Sequence, residues 1–236
     1  MPSVSIDGEH PAVASPGAGR PLRILVLEDE PLFRDLLVGV LAGRPTLEVV
    51  SQVATGPEAI EAGGRLRPDV AVLDIELGDE WNGIRVGAEL RRLDPTIGIV
   101  LLSNHADAEL LSGIGPERLA GWSYLLKRSV ADTSALVRAI EGAAAGLVVL
   151  DPELVTRRRS RLAGPLATLT PRQLEILELI AQGWTNSAIG ERLGLVEKSV
   201  ENQINGLYQA LGIDRGEGAV HLRVRATLTF LGRHAG

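Results

Sequence analysis

Five polar residues with the chemistry to handle a phosphoryl group or a metal ion each follow a short apolar run. Glu28 and Asp29 follow Ile-Leu-Val-Leu, Asp74 follows Val-Ala-Val-Leu, Ser103 follows Ile-Val-Leu-Leu and Lys127 follows Tyr-Leu-Leu. Three carboxylates in one crevice repel one another unless a cation lies among them, and a hard ion such as Mg²⁺ takes oxygen ligands while keeping several waters. Asp29 and Asp74 are the expected direct ligands, Glu28 acts through water, and the backbone carbonyl of Glu76 is a third protein ligand. A cation beside one ammonium and one hydroxyl suits a phosphoryl group: Mg²⁺ and Lys127 neutralise its oxygens and Ser103 donates a hydrogen bond. A carboxylate can itself be the nucleophile, and Asp74, ending a central strand, is the expected acceptor. A lone acid at a strand end is ordinarily an N-cap or a turn residue, and Ser103 alone could be an N-cap. The weight lies in five suitable residue types at four strand ends.

The elements that must position these groups are legible as an alternation. Strands are expected at Leu22–Leu27, Leu47–Val53, Val70–Leu73, Ile97–Leu102 and Trp122–Leu126. Helices are expected at Pro31–Ala42, Pro57–Leu66, Gly83–Leu93 and Thr133–Ala145, with a weaker one around Ala106–Ile114. Near-continuously apolar strands alternating with helices predict an α/β doubly wound five-stranded parallel sheet covered on both faces. Ligands of such a sheet bind beyond the carboxyl ends of the strands, where the five groups lie.

The chain has 236 residues, enough for two domains, and no cysteine, which excludes disulfides and thiolate metal sites. No apolar run approaches the roughly 18–20 residues of a membrane helix. Residues 1–20 are rich in Pro, Gly, Ser and Ala, read as a disordered tail, and lack the basic and apolar regions of a secretory signal, so the cytoplasm is the expected location. The net charge of −6 argues against nucleic acid as a bulk number, but residues 1–150 hold 13 basic and 21 acidic residues whereas 151–236 hold 11 and 9. The acidity belongs to the first part, expected to form a domain over 21–145. A linker follows at 146–168, with room for one short helix; its Arg157–Arg161 run reads as solvated linker charge or as an aid to DNA binding.

Residues 169–236 are expected to form a small all-α domain of four helices, at Pro171–Gln182, Asn186–Leu193, Glu197–Leu211 and about Glu217–Leu231. Thr170, Pro171 and Gln173 make a capping box with proline at the first helical position, and Gly183, Gly194 and Gly212 follow three of the helices. Two short helices, a tight turn and a longer helix fit a helix-turn-helix. The apolar spacing alone would equally suit any small helical bundle. Trp81, Trp122 and Trp184 are read as packing residues.

Over residues 22–145 the segments LRILVLEDEPLFRDLL, VAVLDIELGD, IVLLSNH and GWSYLLKRS resemble the flavodoxin-like receiver domain of two-component response regulators. The resemblance implies that Asp74 takes a phosphoryl group from a sensor histidine kinase. Ser103 would then turn toward it, and Tyr124, at the family's switch aromatic, would move inward; read without the family, Tyr124 simply packs. Gly78 departs from the proline usual four residues after the acceptor, and the loops after Asp74 and after Ser103 are longer than is common. From 169 to about 231 the chain resembles the LuxR-type DNA-binding domain of the NarL/FixJ subfamily, through L-T-P-R, Glu175, G-W-T-N at 183–186, E-K-S-V at 197–200 and the closing L-G. That resemblance makes Glu197–Leu211 the recognition helix, with Lys198, Asn202, Gln203 and Asn205 facing the groove. Val196, Glu201, Gln203 and Ala210 stand where Ser or Thr, Lys, His and Lys are usual. Residues 169–236 carry seven basic and seven acidic residues, so phosphate attraction is weak and pairing of two half-sites is expected to supply affinity.

The implied function is that of a transcription factor controlled by phosphorylation of Asp74 with Mg²⁺, not a metabolic enzyme. Its implied partners are a sensor histidine kinase, double-stranded DNA, a second copy of the chain and RNA polymerase, with no membrane. Two alternatives stay open: a pseudo-receiver controlled without phosphorylation, and a haloacid dehalogenase-type phosphotransferase. The latter needs a second Asp where this chain has Glu76 and gives the C-terminal motif no role.

Overall fold

The computed structural model describes residues 20–78, 80–106, 115, 118–159, 164–213 and 222–232. Its sheet is built from β1 (Leu22–Leu27), β2 (Leu47–Val53), β3 (Val70–Asp74), β4 (Gly98–Ser103), β5 (Trp122–Leu126) and β6 (Val149–Leu150). All neighbours are parallel, in the order β2-β1-β3-β4-β5-β6. The expected five-stranded sheet is thus corrected to six. The missed strand is two residues long, pairing Val149 with Ser123 and Leu150 with Tyr124, too short for any periodicity to show.

Alternate strand residues point to opposite faces and feed separate cores. Ile24, Val26, Val70, Val72, Val100 and Leu102 pack with helices α1 (Pro31–Ala42) and α4 (Thr133–Ala144). On the other face Leu25, Leu27, Ala71, Leu73, Ile99 and Leu101 pack with α2 (Gly56–Leu66) and α3 (Gly83–Leu93). The expected helix around Ala106–Ile114 lies outside the described residues from 107 onward, as do residues 1–19 of the expected tail.

The stretch 146–168 is more than a connector. After β6 it forms α5 (Pro152–Arg159), whose Leu154 and Val155 are buried, and later a turn of 3-10 helix at Gly164–Thr168. Asp151, fully buried between β6 and α5, accepts hydrogen bonds from Leu126 N at 3.0 Å and Glu153 N at 2.8 Å. The three arginines of the run among the described residues are engaged within the chain: Arg157 with Glu153, Arg158 Nε with Phe230 O at 2.9 Å and Arg159 with Glu178 at 3.2 Å.

Four helices follow: α6 (Pro171–Ala181), α7 (Asn186–Leu193), α8 (Glu197–Ala210) and α9 (Leu222–Phe230). Thr170 and Gln173 form the capping box, Thr185 caps α7 through Ala188 N, and Val196 precedes α8 without a side-chain cap. Leu174, Leu177, Ile180, Ile189, Val200, Ile204, Leu207, Val224 and Leu228 are buried together. This bundle meets the sheet domain where the Arg138 guanidinium lies 4.8 Å from the Trp184 ring and donates to Gln182 O. Gly183 has φ +79, and a Cβ there would lie 2.9 Å from Val149, so both the turn and the close approach call for glycine.

Candidate functional site

The carboxyl ends of β1, β3, β4 and β5 bring the expected groups together. Glu28, Asp74 and Ser103 are buried while Asp29 is exposed. Lys127 Nζ reaches back from the end of β5 to donate to Glu28 Oε1 at 2.9 Å and Asp74 Oδ2 at 3.0 Å. It also lies 2.9 Å from Glu28 Oε2, so the ammonium spans both oxygens of Glu28, although Oε2 receives no well-directed hydrogen bond. One oxygen from each of Glu28, Asp29 and Asp74 falls within 4.8 Å of the others. A cluster of three carboxylates offering only oxygen donors, with a single ammonium against two of them, is the chemistry a hard divalent cation fits.

The loop after β3 arranges the rest. Glu76 N donates to Asp74 Oδ1 at 3.1 Å, and the Glu76 carboxylate turns toward Asn104 Nδ2 at 2.8 Å and His105 Nε2 at 3.3 Å. Gly78 N donates to Asp29 Oδ2 at 3.0 Å, a bond that the family's usual proline, lacking an N–H, could not make. At the start of α3, a Cβ on Gly83 would lie 2.3 Å from the Asp74 carbonyl oxygen, so the absence of a side chain lets this helix close over the strand end.

Electrostatics follow burial. Desolvation pushes Glu28 up to about 6 against the opposing pull of Lys127. Desolvation likewise raises Asp74, again opposed by Lys127. Burial pulls Lys127 down, but its bonds to Glu28 and Asp74 outweigh that, and the net shift is upward. The lysine therefore stays charged between two carboxylates. The Phe33 ring, 4.9 Å from Lys127 Nζ, walls the site. Sequence reasoning missed it because an aromatic in the first turn of α1 carries no signal apart from core packing.

Ser103 Oγ accepts from His105 N at 3.0 Å, folding the loop after β4 back on itself. Tyr124 is fully buried and its hydroxyl donates to His105 O at 2.6 Å.

On α8 the buried positions are Val200, Ile204, Leu207 and Tyr208. Lys198, Asn202 and Asn205 are exposed and, with exposed Gln209, recur every three or four residues as one stripe on the opposite side. Gln203 is half-buried on the flank, off this stripe. Gln209 was legible in the helical period but lies in the second half of the helix, away from the residues expected to reach a groove.

Comparison with known proteins identifies both domains. Residues 24–140 match the response regulator receiver domain, and residues 167–222 match the luxR family of bacterial regulatory proteins. The transcriptional regulatory protein LiaR of Bacillus subtilis is 34% identical over 209 residues, covering 85% of this chain and 96% of that one. The DNA-binding transcriptional activator DevR/DosR of Mycobacterium tuberculosis is 31% identical over 201 residues, covering 82% and 90%. A crystal structure of a LuxR-family two-component response regulator from Aurantimonas sp. matches with TM-score 0.52 and 26% identity over 60% of this chain and 97% of that one. A structure of two RcsB dimers bound to two parallel DNAs shares the fold, with TM-score 0.50 and 19% identity over 90% of this chain and all of that one. A receiver domain joined to a LuxR-type helix-turn-helix, with relatives matched over most of their length, places the chain in the LuxR/NarL family of transcriptional response regulators.

Proposed function

We propose that this regulator is switched by phosphorylation of Asp74. The observation that carries the reading is the Lys127 bridge to Glu28 and Asp74 beside the clustered oxygens of Glu28, Asp29 and Asp74. A sensor histidine kinase supplies the phosphoryl group; an Asp74 carboxylate oxygen attacks phosphorus and the imidazole leaves. Glu28, Asp29 and Asp74 would hold Mg²⁺, with the Glu76 carbonyl as a further ligand, and the bound ion supplies charge neutralisation at the phosphoryl oxygens. Lys127 gives up part of its bond to Asp74 to pair with the new group. Ser103 leaves the His105 amide to donate to it, which shifts the loop that Tyr124 holds. The desolvation cost of a buried Glu28–Lys127–Asp74 cluster favours this reading over a receiver controlled without phosphorylation, in which the cluster would serve structure alone.

The output is DNA binding in the cytoplasm by a homodimer, through Lys198, Asn202 and Asn205 on α8, with Gln203 at its flank and RNA polymerase as the downstream partner. RcsB dimers on DNA offer a precedent for that assembly. The balance of seven basic and seven acidic residues over 169–236 supports a weak monomer that gains affinity by pairing half-sites. The test is acetyl phosphate with Mg²⁺. Wild type is expected to be labelled, to dimerise and to bind its operator more tightly, and Asp74→Asn to do none of these. An unlabelled wild type with unchanged DNA binding sinks the switch.

A further inference from the structure

Glu201 is an acid on the helix that the family places against DNA. Its side chain is 42% exposed, and Oε2 lies 2.9 Å from Nζ of Lys198, one turn earlier and 79% exposed. A carboxylate facing phosphates is repelled, and contacts to the backbone of a duplex call for Lys or Arg. Two features make an acid workable here. Lys198 cancels its charge locally. Positions 198–205 also occupy the N-terminal part of α8 (Glu197–Ala210), the part of a recognition helix that meets base edges.

Base edges distinguish sharply between a carboxylate and a cation. In the major groove guanine shows only acceptors, N7 and O6, and thymine an acceptor and a methyl group. Cytosine shows the N4 amino donor, the partner a carboxylate accepts from, while adenine, with adjacent donor and acceptor, suits the amides of Asn202 and Asn205. We propose that Glu201 is a specificity-determining residue that reads cytosine in the major groove and rejects guanine at the same position, with Asn202 and Asn205 reading adenine beside it. The proposal rests on α8 being the recognition helix. It turns a departure from the family's usual lysine into a change of the base favoured, since an ammonium suits the guanine acceptors and a carboxylate the cytosine donor.

The test is selection of binding sites from a random duplex pool by the full chain, untreated and treated with acetyl phosphate and Mg²⁺, for wild type, Glu201→Ala and Glu201→Lys. Wild type is expected to favour cytosine over guanine about tenfold at one position of each half-site. Glu201→Ala is expected to lose that preference at that position alone, and Glu201→Lys to turn it toward guanine. Glu201 is half-buried beside the stripe of Lys198, Asn202 and Asn205, and the ion pair its substitution removes is an exposed one within a single helix, so all three proteins are expected to melt within a few degrees of one another, which separates misreading from misfolding. The same base preferences in all three, with only a uniform gain in affinity for the variants, overturn the proposal and reduce Glu201 to a repeller of phosphate. A wild type that enriches no sequence under either condition removes the recognition-helix reading itself, and this inference with it.

Discussion

The Tyr124 hydroxyl donates a 2.6 Å hydrogen bond to the backbone carbonyl of His105. The bond ties the middle of β5 to the loop two residues beyond Ser103, so a movement of that loop is felt at a buried aromatic. Tyr124→Phe removes the bond and keeps the ring. The expected cost is about 1 kcal/mol of stability, with acetyl phosphate labelling of Asp74 intact and the phosphorylation-dependent gain in DNA affinity reduced. Labelling and DNA titration on the same preparation check this; a variant with the full gain would show that the bond plays no part in coupling.

Lys127→Met leaves Glu28 and Asp74 buried as like charges with no cation between them. Breaking a buried pair in this way costs about 3–5 kcal/mol, and Mg²⁺ is expected to restore more stability to the variant than it adds to wild type. Unfolding curves in EDTA and in excess Mg²⁺ measure both quantities. Equal Mg²⁺ effects on the two proteins would place the ion elsewhere.

Glu178 on α6 has a side chain 13% exposed, pairs with Arg159 of α5 at 3.2 Å, and keeps Oε1 buried without a hydrogen-bond partner. Burial raises its carboxyl above the ordinary glutamate value, opposed by Arg159 and reinforced by Glu175. A raised folded-state value means the protonated form is favoured on folding. Its contribution is fully present below the unfolded value and lost as pH rises through the folded one. Glu178→Gln is therefore expected to stabilise the chain at pH 7 by about 1 kcal/mol, a rise in Tm of about 2–4 °C, with the gain vanishing near pH 4. Melting curves across that range decide it; a variant less stable at pH 7 would mean that the attraction of Arg159 outweighs the cost of burying the carboxylate.

The sequence by itself determined the order of the main strands and helices, the capping box at Thr170 and the strand-end residue types. Each is a local property: Glu28, Asp74 and Lys127 could be picked out because strands of a parallel sheet deliver their next residue to one edge. The six-stranded sheet was not legible, because β6 is two residues held by its pairing with Ser123 and Tyr124 and by the buried Asp151. The role of Gly78 was hidden too, since its value is one N–H aimed at Asp29 from 49 residues away. The linker arginines read as free charge, and only the placement of Phe230 and Glu178 gave Arg158 and Arg159 their partners. Tertiary structure alone decided these features, because burial, ion pairing and hydrogen bonding depend on where distant segments meet. A spacing rule reports only which face of its own element a residue occupies.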